Sequence, residues 1–229
     1  MSKDDKELLK CLVTIFAAVL LSYQLPHDSY SIIQFIIRPI RVGSGTIYLA
    51  GLVPLVMIII SIKRLFKLKR FAETSKLVLI IVVLILVLPI MRGSLDIVKA
   101  TYFWVMNDEL RTIDIVDTEI KFSGMSNNGA TLNVKLELID YGRSKSKFKV
   151  RLYLPESLKK NLNVEFVMFD EWYSIIGNRD SLNIEKDFLF QLEDGRTVEN
   201  IFKSQWYEEK FMFELYNDVD SIEIIHRNW

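Results

Sequence analysis

Two short clusters place aromatic rings next to carboxylates. The first is Asp170–Tyr173 (DEWY) and the second is Trp206–Glu209 (WYEE). Rings that stack and acids that accept hydrogen bonds or transfer protons suit a carbohydrate-binding or glycoside-cleaving groove. Large aromatic residues in a small domain more often belong to the hydrophobic core, because each buries a large area. Both interpretations stay open, and the candidate ligand or partner surface consists of Asp170, Glu171, Trp172, Tyr173, Trp206 and Tyr207.

Other residues that could do chemistry are few. The two histidines, His27 and His226, lie near no nucleophile motif, so the pattern does not indicate a catalytic triad. Cys11 is the single cysteine, which excludes an intramolecular disulfide and a thiolate metal cluster. The chain has no HExxH motif and no calcium-loop spacing. We therefore predict no catalytic, metal or cofactor site, and a protein that is not an enzyme.

Three apolar stretches without a charged residue occupy the first 91 residues. They are Cys11–Leu25, Ile47–Ile62 and Leu77–Met91. Uncharged runs that approach about 20 residues with their flanks are typical of membrane spans, because lipid cannot hydrate a charge. The first run lacks the small residues of a cleavage site, which favours an uncleaved anchor. The sequence predicts a three-span transmembrane region over residues 1–91.

A basic loop between the second and third stretches sets the predicted orientation. It contains one acidic residue, Glu73, and six basic residues: Lys63, Arg64, Lys67, Lys69, Arg70 and Lys76. Basic loops are retained on the cytoplasmic side. Arg38 and Arg41 in the preceding loop weigh weakly against this orientation. We predict a multi-pass protein of the cell membrane with a cytoplasmic N-terminus and an extracytoplasmic C-terminal domain.

Two segments adjoin the predicted spans. Tyr30–Val42 is rich in isoleucine and interrupted by Pro39, which favours a stretch at the membrane surface. Residues 92–111 carry apolar side chains at helical spacing and predict an amphipathic connector. A continuation of the third helix past Pro89 and Gly93 is the alternative for this connector.

The last part of the chain, residues 112–229, is rich in strand patterns. Ala130–Asp140 and Phe148–Leu154 alternate apolar and polar residues, and the polar turn between them predicts a hairpin. Further strands are predicted at 113–122, 163–169, 182–192, 210–216 and 221–225. Seven short strands with regular turns favour an all-β, immunoglobulin-like sandwich as the C-terminal domain.

Charge divides unevenly along the chain. The totals balance at 29 basic and 29 acidic residues, yet residues 111–229 hold 16 Lys and Arg against 21 Asp and Glu, a net charge of −5. Nucleic acid binds to concentrated positive charge, so the acidic domain predicts that nucleic acid is not a partner. The predicted partners are membrane lipids and another membrane or envelope protein.

These patterns leave two functional hypotheses. The first is a non-catalytic integral membrane protein, bacterial in composition, whose extracytoplasmic β-domain mediates protein–protein interaction in the cell envelope. The second is a ligand-sensing or carbohydrate-binding membrane-anchored module that uses the two Trp-Tyr clusters. The sequence does not identify the partner or the oligomeric state.

Overall fold

The computed structural model of this chain describes residues 2–38, 40–42, 45–47, 49–106, 109–125, 129–143, 145–192, 199, 201, 206 and 209–227. The chain divides into two compact units. One unit comprises residues 1–25 and 30–99, and the other comprises residues 26–29 and 100–229. The predicted boundaries at residues 91 and 111 stay predictions.

The first unit is mainly helical. Its elements are α1 (Lys3–Leu21), α2 (Ile32–Ile36), strands β1 (Ile40–Val42) and β2 (Gly45–Ile47), α3 (Leu52–Leu65), a 3-10 turn (Lys69–Phe71), α4 (Lys76–Val82), a π-helical turn (Val83–Val87) and the larger part of α5 (Leu88–Met106). The residues of α5 from Ala100 onwards belong to the second unit. Helix α1 packs against α3, and Cys11 and Ile15 meet Ile62 and Leu65 in a small core. Cys11 is therefore a buried core residue.

The prediction of three membrane spans is wrong. Among the described residues, one helical segment, Lys76–Val105, is long and apolar enough to cross a membrane. The apolar part of α1 is only Cys11–Leu21, about 16 Å at 1.5 Å per residue, because charged residues form its first turns. Helix α3 has 14 residues, about 21 Å, since Ile47 lies in a strand and Lys63 and Arg64 lie in its last turn.

The predicted multi-pass location in the cell membrane is wrong for the same reason. A multi-pass protein with the three predicted spans requires three crossings, and the described helices provide one candidate. The role of the basic loop in setting topology stays a prediction. Its six basic residues are all exposed, at the end of α3, around the 3-10 turn and at the start of α4.

The segments next to the predicted spans also have defined structure. Tyr30–Val42 contains helix α2 and strand β1, which pairs with β2 in a small antiparallel sheet. Helix α5 runs without a break from Leu88 through Pro89 and Gly93 to Met106. The amphipathic connector over residues 92–111 stays a prediction.

The second unit contains two antiparallel sheets. Its strands are β3 (Ile113–Met125), β4 (Gly129–Asp140), β5 (Lys145–Tyr153), β6 (Phe166–Ile176), β7 (Asp180–Gln191), β8 (Lys210–Tyr216) and β9 (Ser221–Arg227), with helix α6 (Glu156–Leu162) between β5 and β6. The strand order is β3-β4-β7 in one sheet and β6-β5-β8-β9 in the other. Each sheet turns alternate side chains into one shared hydrophobic core, which includes Leu136, Phe148 and Phe213.

The predicted fold class, three membrane spans followed by an all-β immunoglobulin-like sandwich, is wrong as a whole. The chain has a mixed α/β fold with two antiparallel sheets in one unit and helices in the other. The apolar patterns located helices and strands, but run length alone did not distinguish a membrane span from a helix that packs within the protein.

The predicted hairpin is also wrong, because β4 and β5 belong to different sheets. The crossing between them centres on Asp140, which is fully buried. Its Oδ1 accepts hydrogen bonds from the Thr112 hydroxyl (2.8 Å) and the Gly142 amide (2.7 Å). The Gly142 carbonyl in turn accepts a bond from the Asn178 amide at 2.8 Å. These contacts fix the chain where it leaves one sheet for the other.

Residues Pro26–Ser29 belong to the β-rich unit and lie along the edge of β9. The Ser29 amide donates to the Ile225 carbonyl, and the Ile225 amide donates to the His27 carbonyl. The Asp28 carboxylate forms two bonds with the Arg227 guanidinium, at 3.3 and 3.2 Å. This segment therefore covers part of the β9 edge, where unpaired backbone groups would otherwise face water.

Candidate functional site: the outer face of the four-stranded sheet

A row of basic side chains follows the outer face of β5. The sequence Lys145–Tyr153 (KSKFKVRLY) alternates buried residues with Lys145, Lys147, Lys149 and Arg151. Alternate residues of a strand point to the same side and are about 6.6–6.8 Å apart. The cation row runs along β5, which pairs with β6 over Lys145–Tyr153 and with β8 over Lys149–Tyr153.

The three lysines of the row have no acidic partner among the described residues. Within the described part of the chain, Lys145, Lys147 and Lys149 form no ion pair with a carboxylate. Lys145 and Lys147 are exposed, and Lys149 is half-buried. Their charge is therefore available to a molecule outside the protein.

Arg151 at the end of the row is held by its neighbours. Its Nη1 lies 2.7 Å from Glu214 Oε2 and donates to the Tyr153 hydroxyl at 3.1 Å. The Tyr153 hydroxyl donates to Glu214 Oε2 at 3.0 Å. The hydrogen bond to Tyr153, followed by the charge of Glu214, raises the pKa of Arg151 above its ordinary value. The guanidinium therefore stays charged and fixed in position.

Aromatic side chains border the cation row on both sides. The Arg151 guanidinium lies 4.9 Å from the ring centre of Phe166 on β6 and 4.8 Å from that of Tyr216 on β8. Lys149 Nζ lies 5.1 Å from the ring centre of Trp172. Such distances allow cation–π attraction. Trp172 is still 52% exposed, so much of its ring can contact a ligand.

Strand β6 carries four of the sequence-predicted site residues, which differ in their exposure and in their contacts. Trp172 and Glu171 are exposed, and Asp170 forms an ion pair with Lys186 at 3.1 Å. Tyr173 packs on Phe148 and Phe169 at the edge of the core, and burial raises the pKa of its hydroxyl.

The second predicted cluster does not join the first. Trp206 is only 5% exposed and contacts Phe122 and Phe211 in the core. Tyr207 lies outside the described residues. Trp206 therefore offers no surface next to Trp172, and the described residues do not form a platform of two Trp-Tyr pairs.

The sequence interpretation missed the cation row because it assigned Lys145 and Ser146 to a turn. Strand β5 begins at Lys145, three residues before the predicted start. The signal was present in the sequence: basic residues occupy every second position from 145 to 151, in phase with the predicted strand.

The outer face of the other sheet differs in charge. A groove of about 440 Å³ is lined there by Asp117, Glu119, Glu137 and Glu185, together with Lys135. Lys135 Nζ lies 3.1 Å from Glu185, so the face neutralises part of its own charge. Within the described residues, no group of three or more His, Cys, Asp or Glu side chains could hold a metal ion. This face supports a weaker case for a ligand than the cation row.

Comparison with known proteins finds little. No protein-family model and no curated protein matches this chain. Among solved structures, the chain is similar to Pseudomonas fluorescens alkylpurine DNA glycosylase AlkC bound to DNA containing an abasic site analog. The sequence identity is 11% and the TM-score 0.27, over 79% of this chain and 48% of that chain. The chain thus spans about half the length of that protein, and a likeness this weak assigns neither its fold nor its activity to this chain.

The predicted partners are corrected. The exclusion of nucleic acid is withdrawn, because the net charge of a domain does not reveal local basic surfaces such as the β5 row. Membrane lipids and an envelope protein were inferred from the multi-pass location, and they are withdrawn with it. The prediction that the protein is not an enzyme stays a prediction.

Proposed function

We propose that this chain is a binding protein whose β-rich unit contacts a protein partner through the outer face of the four-stranded sheet. The observation that carries this proposal is the cation row, in which three lysines have no carboxylate partner among the described residues. Like charges along one strand do not stabilise the fold, because neighbouring lysines repel each other. A partner with negative charge turns the same row into a favourable contact.

The residue types around the row fit a protein interface. Tryptophan, tyrosine and arginine contribute most of the binding energy in such interfaces. Trp172, Tyr153, Tyr216 and Arg151 lie together on this face. The ion pair with Glu214 holds Arg151 in place before binding, which lowers the entropy cost of association.

Carbohydrate binding is the second candidate. The exposed ring of Trp172 could stack on a sugar, and the exposed Glu171 next to it could accept hydrogen bonds from hydroxyl groups. This candidate depends on one aromatic ring, since Trp206 is buried.

Site-specific photo-cross-linking in cells that express the chain tests the proposal. A photo-reactive amino acid is introduced at Ser174, which pairs with Lys147 on the same face, and at Asn183 on the acidic face as the control. We expect a protein adduct from position 174, its loss in Lys145→Glu/Lys147→Glu, and no such adduct from position 183. Equal adducts from both positions, or an adduct that survives the lysine changes, would contradict the proposal.

A further inference from the structure

We infer that the cation row of β5 binds an extended acidic peptide in which Asp or Glu occupies alternate positions. The inference rests on the proposed function and specifies the chemistry of the partner. Its basis is the match between the spacing of the row and the spacing of side chains in an extended chain.

The geometry of the row selects an extended peptide. Lys145, Lys147, Lys149 and Arg151 project from one strand at intervals of about 6.6–6.8 Å. An extended peptide places every second side chain on one side at the same interval. When it lies along β5, successive acidic side chains reach successive cations. A helix matches the row less well, because its neighbouring side chains on one face are about 5–6 Å apart and fall out of step with the cations along the row.

The surroundings of the row add selectivity. Trp172 and Phe166 line the β6 side, where they offer apolar contact to the remaining side chains of a peptide. Glu214 and Glu223 lie opposite each other on β8 and β9, on the same face as Arg151. These two carboxylates repel an anion that spreads across the sheet. A narrow acidic chain along β5 and the β6 side avoids Glu223, and a broad polyanion does not.

A binding assay with the purified full-length chain tests the inference. The probe is a fluorescein-labelled peptide of eight residues in which Glu and Thr alternate. The control peptide has the same composition with four Glu followed by four Thr. We expect the alternating peptide to bind more tightly than the block peptide, with fluorescence anisotropy as the readout.

Matched variants locate the binding. Lys145→Gln/Lys147→Gln removes two cations from the row, and we expect about tenfold weaker binding, as for two solvent-exposed ion pairs. Lys63→Gln/Lys67→Gln removes two exposed cations from the basic loop and serves as the control, with no expected change. Lys147→Arg keeps the charge and should retain binding. Circular dichroism verifies that each variant is folded.

The inference is wrong if both peptides bind equally tightly, or if both double variants lose the same amount of peptide binding. It is also wrong if an eight-nucleotide DNA strand binds more tightly than the alternating peptide. Association of two copies of this chain through the row, seen as a dimer that Lys145→Gln/Lys147→Gln abolishes, would overturn it as well. In each case the cross-link from position 174 decides the proposed function separately. A lysine-dependent adduct with failed peptide binding removes only the acidic-peptide chemistry.

Discussion

Asp140 has an ionisable carboxyl group at a buried position, where the charged form is disfavoured. It is fully buried, and this burial raises the pKa of its carboxyl group, against the opposing effect of the hydrogen bonds from Gly142 and Thr112. The folded state therefore holds the proton more tightly than the unfolded chain does. Its contribution to stability is largest below the ordinary pKa of 3.8 and is lost as the pH rises through the raised pKa.

We expect Asp140→Asn to remove this dependence, because the amide oxygen can still accept from Thr112 and Gly142. The free energy of unfolding is measured by urea denaturation over the acidic pH range for both proteins. The stability difference, original chain minus variant, should fall as the pH rises across that window. A constant or rising difference would contradict the assigned cause. Other groups have their pKa shifted in the opposite direction; the hydrogen bond with Lys121, for example, lowers the pKa of Glu119. Such groups contribute equally to both proteins, so their effect cancels in the stability difference.

The two tryptophan clusters show what sequence can and cannot predict about a residue. Trp172 and Trp206 are each followed by tyrosine and lie near acidic residues. Yet Trp172 is exposed beside Lys149, and Trp206 is buried against Phe122, a residue more than 80 positions earlier in the chain. Trp206 is a core residue, whereas the interpretation of Trp172 as part of a ligand surface stays a prediction. Local sequence could not assign them, because contacts between distant segments decide burial.

At the scale of elements, the turn between β6 and β7 depends on a glycine. A Cβ atom at Gly177 would lie 2.2 Å from the Gly142 carbonyl oxygen, which is backbone and cannot rotate away. We expect Gly177→Ala to lower the free energy of unfolding by about 1–3 kcal/mol, as for overpacking at a close contact. Urea denaturation measures the change.

Gly93→Ala is the matched control. Gly93 lies within α5 with nothing within 4 Å of an added Cβ atom. The helix propensity of alanine should make this change neutral or stabilising by up to about 1 kcal/mol. Equal destabilisation by both changes would show that the contact with Gly142 is not the cause.

The alternation of apolar and polar residues predicted where the strands lie, but it did not predict which strands pair with each other. The pattern at Ala130–Asp140 and Phe148–Leu154 locates β4 and most of β5, because one side of each strand is buried. The hairpin between them was wrong, since a polar turn is compatible with both a return within one sheet and a crossing to another. The crossing is fixed by hydrogen bonds from Thr112 and Gly142 to the buried Asp140 carboxylate. No local sequence pattern predicts these contacts.

At the scale of the whole molecule, the error in the membrane prediction has a physical cause. A run of apolar residues has the same composition whether it forms one long helix or a strand and a shorter helix. Ile47–Ile62 is divided between β2 and α3, while Lys76–Val105 is one continuous helix. Helix length is decided by where local structure begins and ends, which composition does not fix.

The two faces of the β-rich unit differ in a way that function can exploit. One carries the lysines of β5, which form no ion pair within the part of the chain that the structure describes, and the other carries carboxylates that partly pair with Lys121 and Lys135. Electrostatic complementarity of this kind directs encounter and orientation more than it sets affinity. A partner with acidic groups is therefore directed to one face.

Lysine footprinting tests the central claim, that the outer face of the four-stranded sheet is the binding surface. Cells that express the chain and the purified chain are treated with the same amine-reactive reagent, and mass spectrometry measures modification at each lysine. We predict that Lys145 and Lys147 are modified much less in cells than in the purified chain, whereas Lys121 and Lys135 on the acidic face are modified equally in both. Equal modification of Lys145 and Lys147 in both samples would contradict the account.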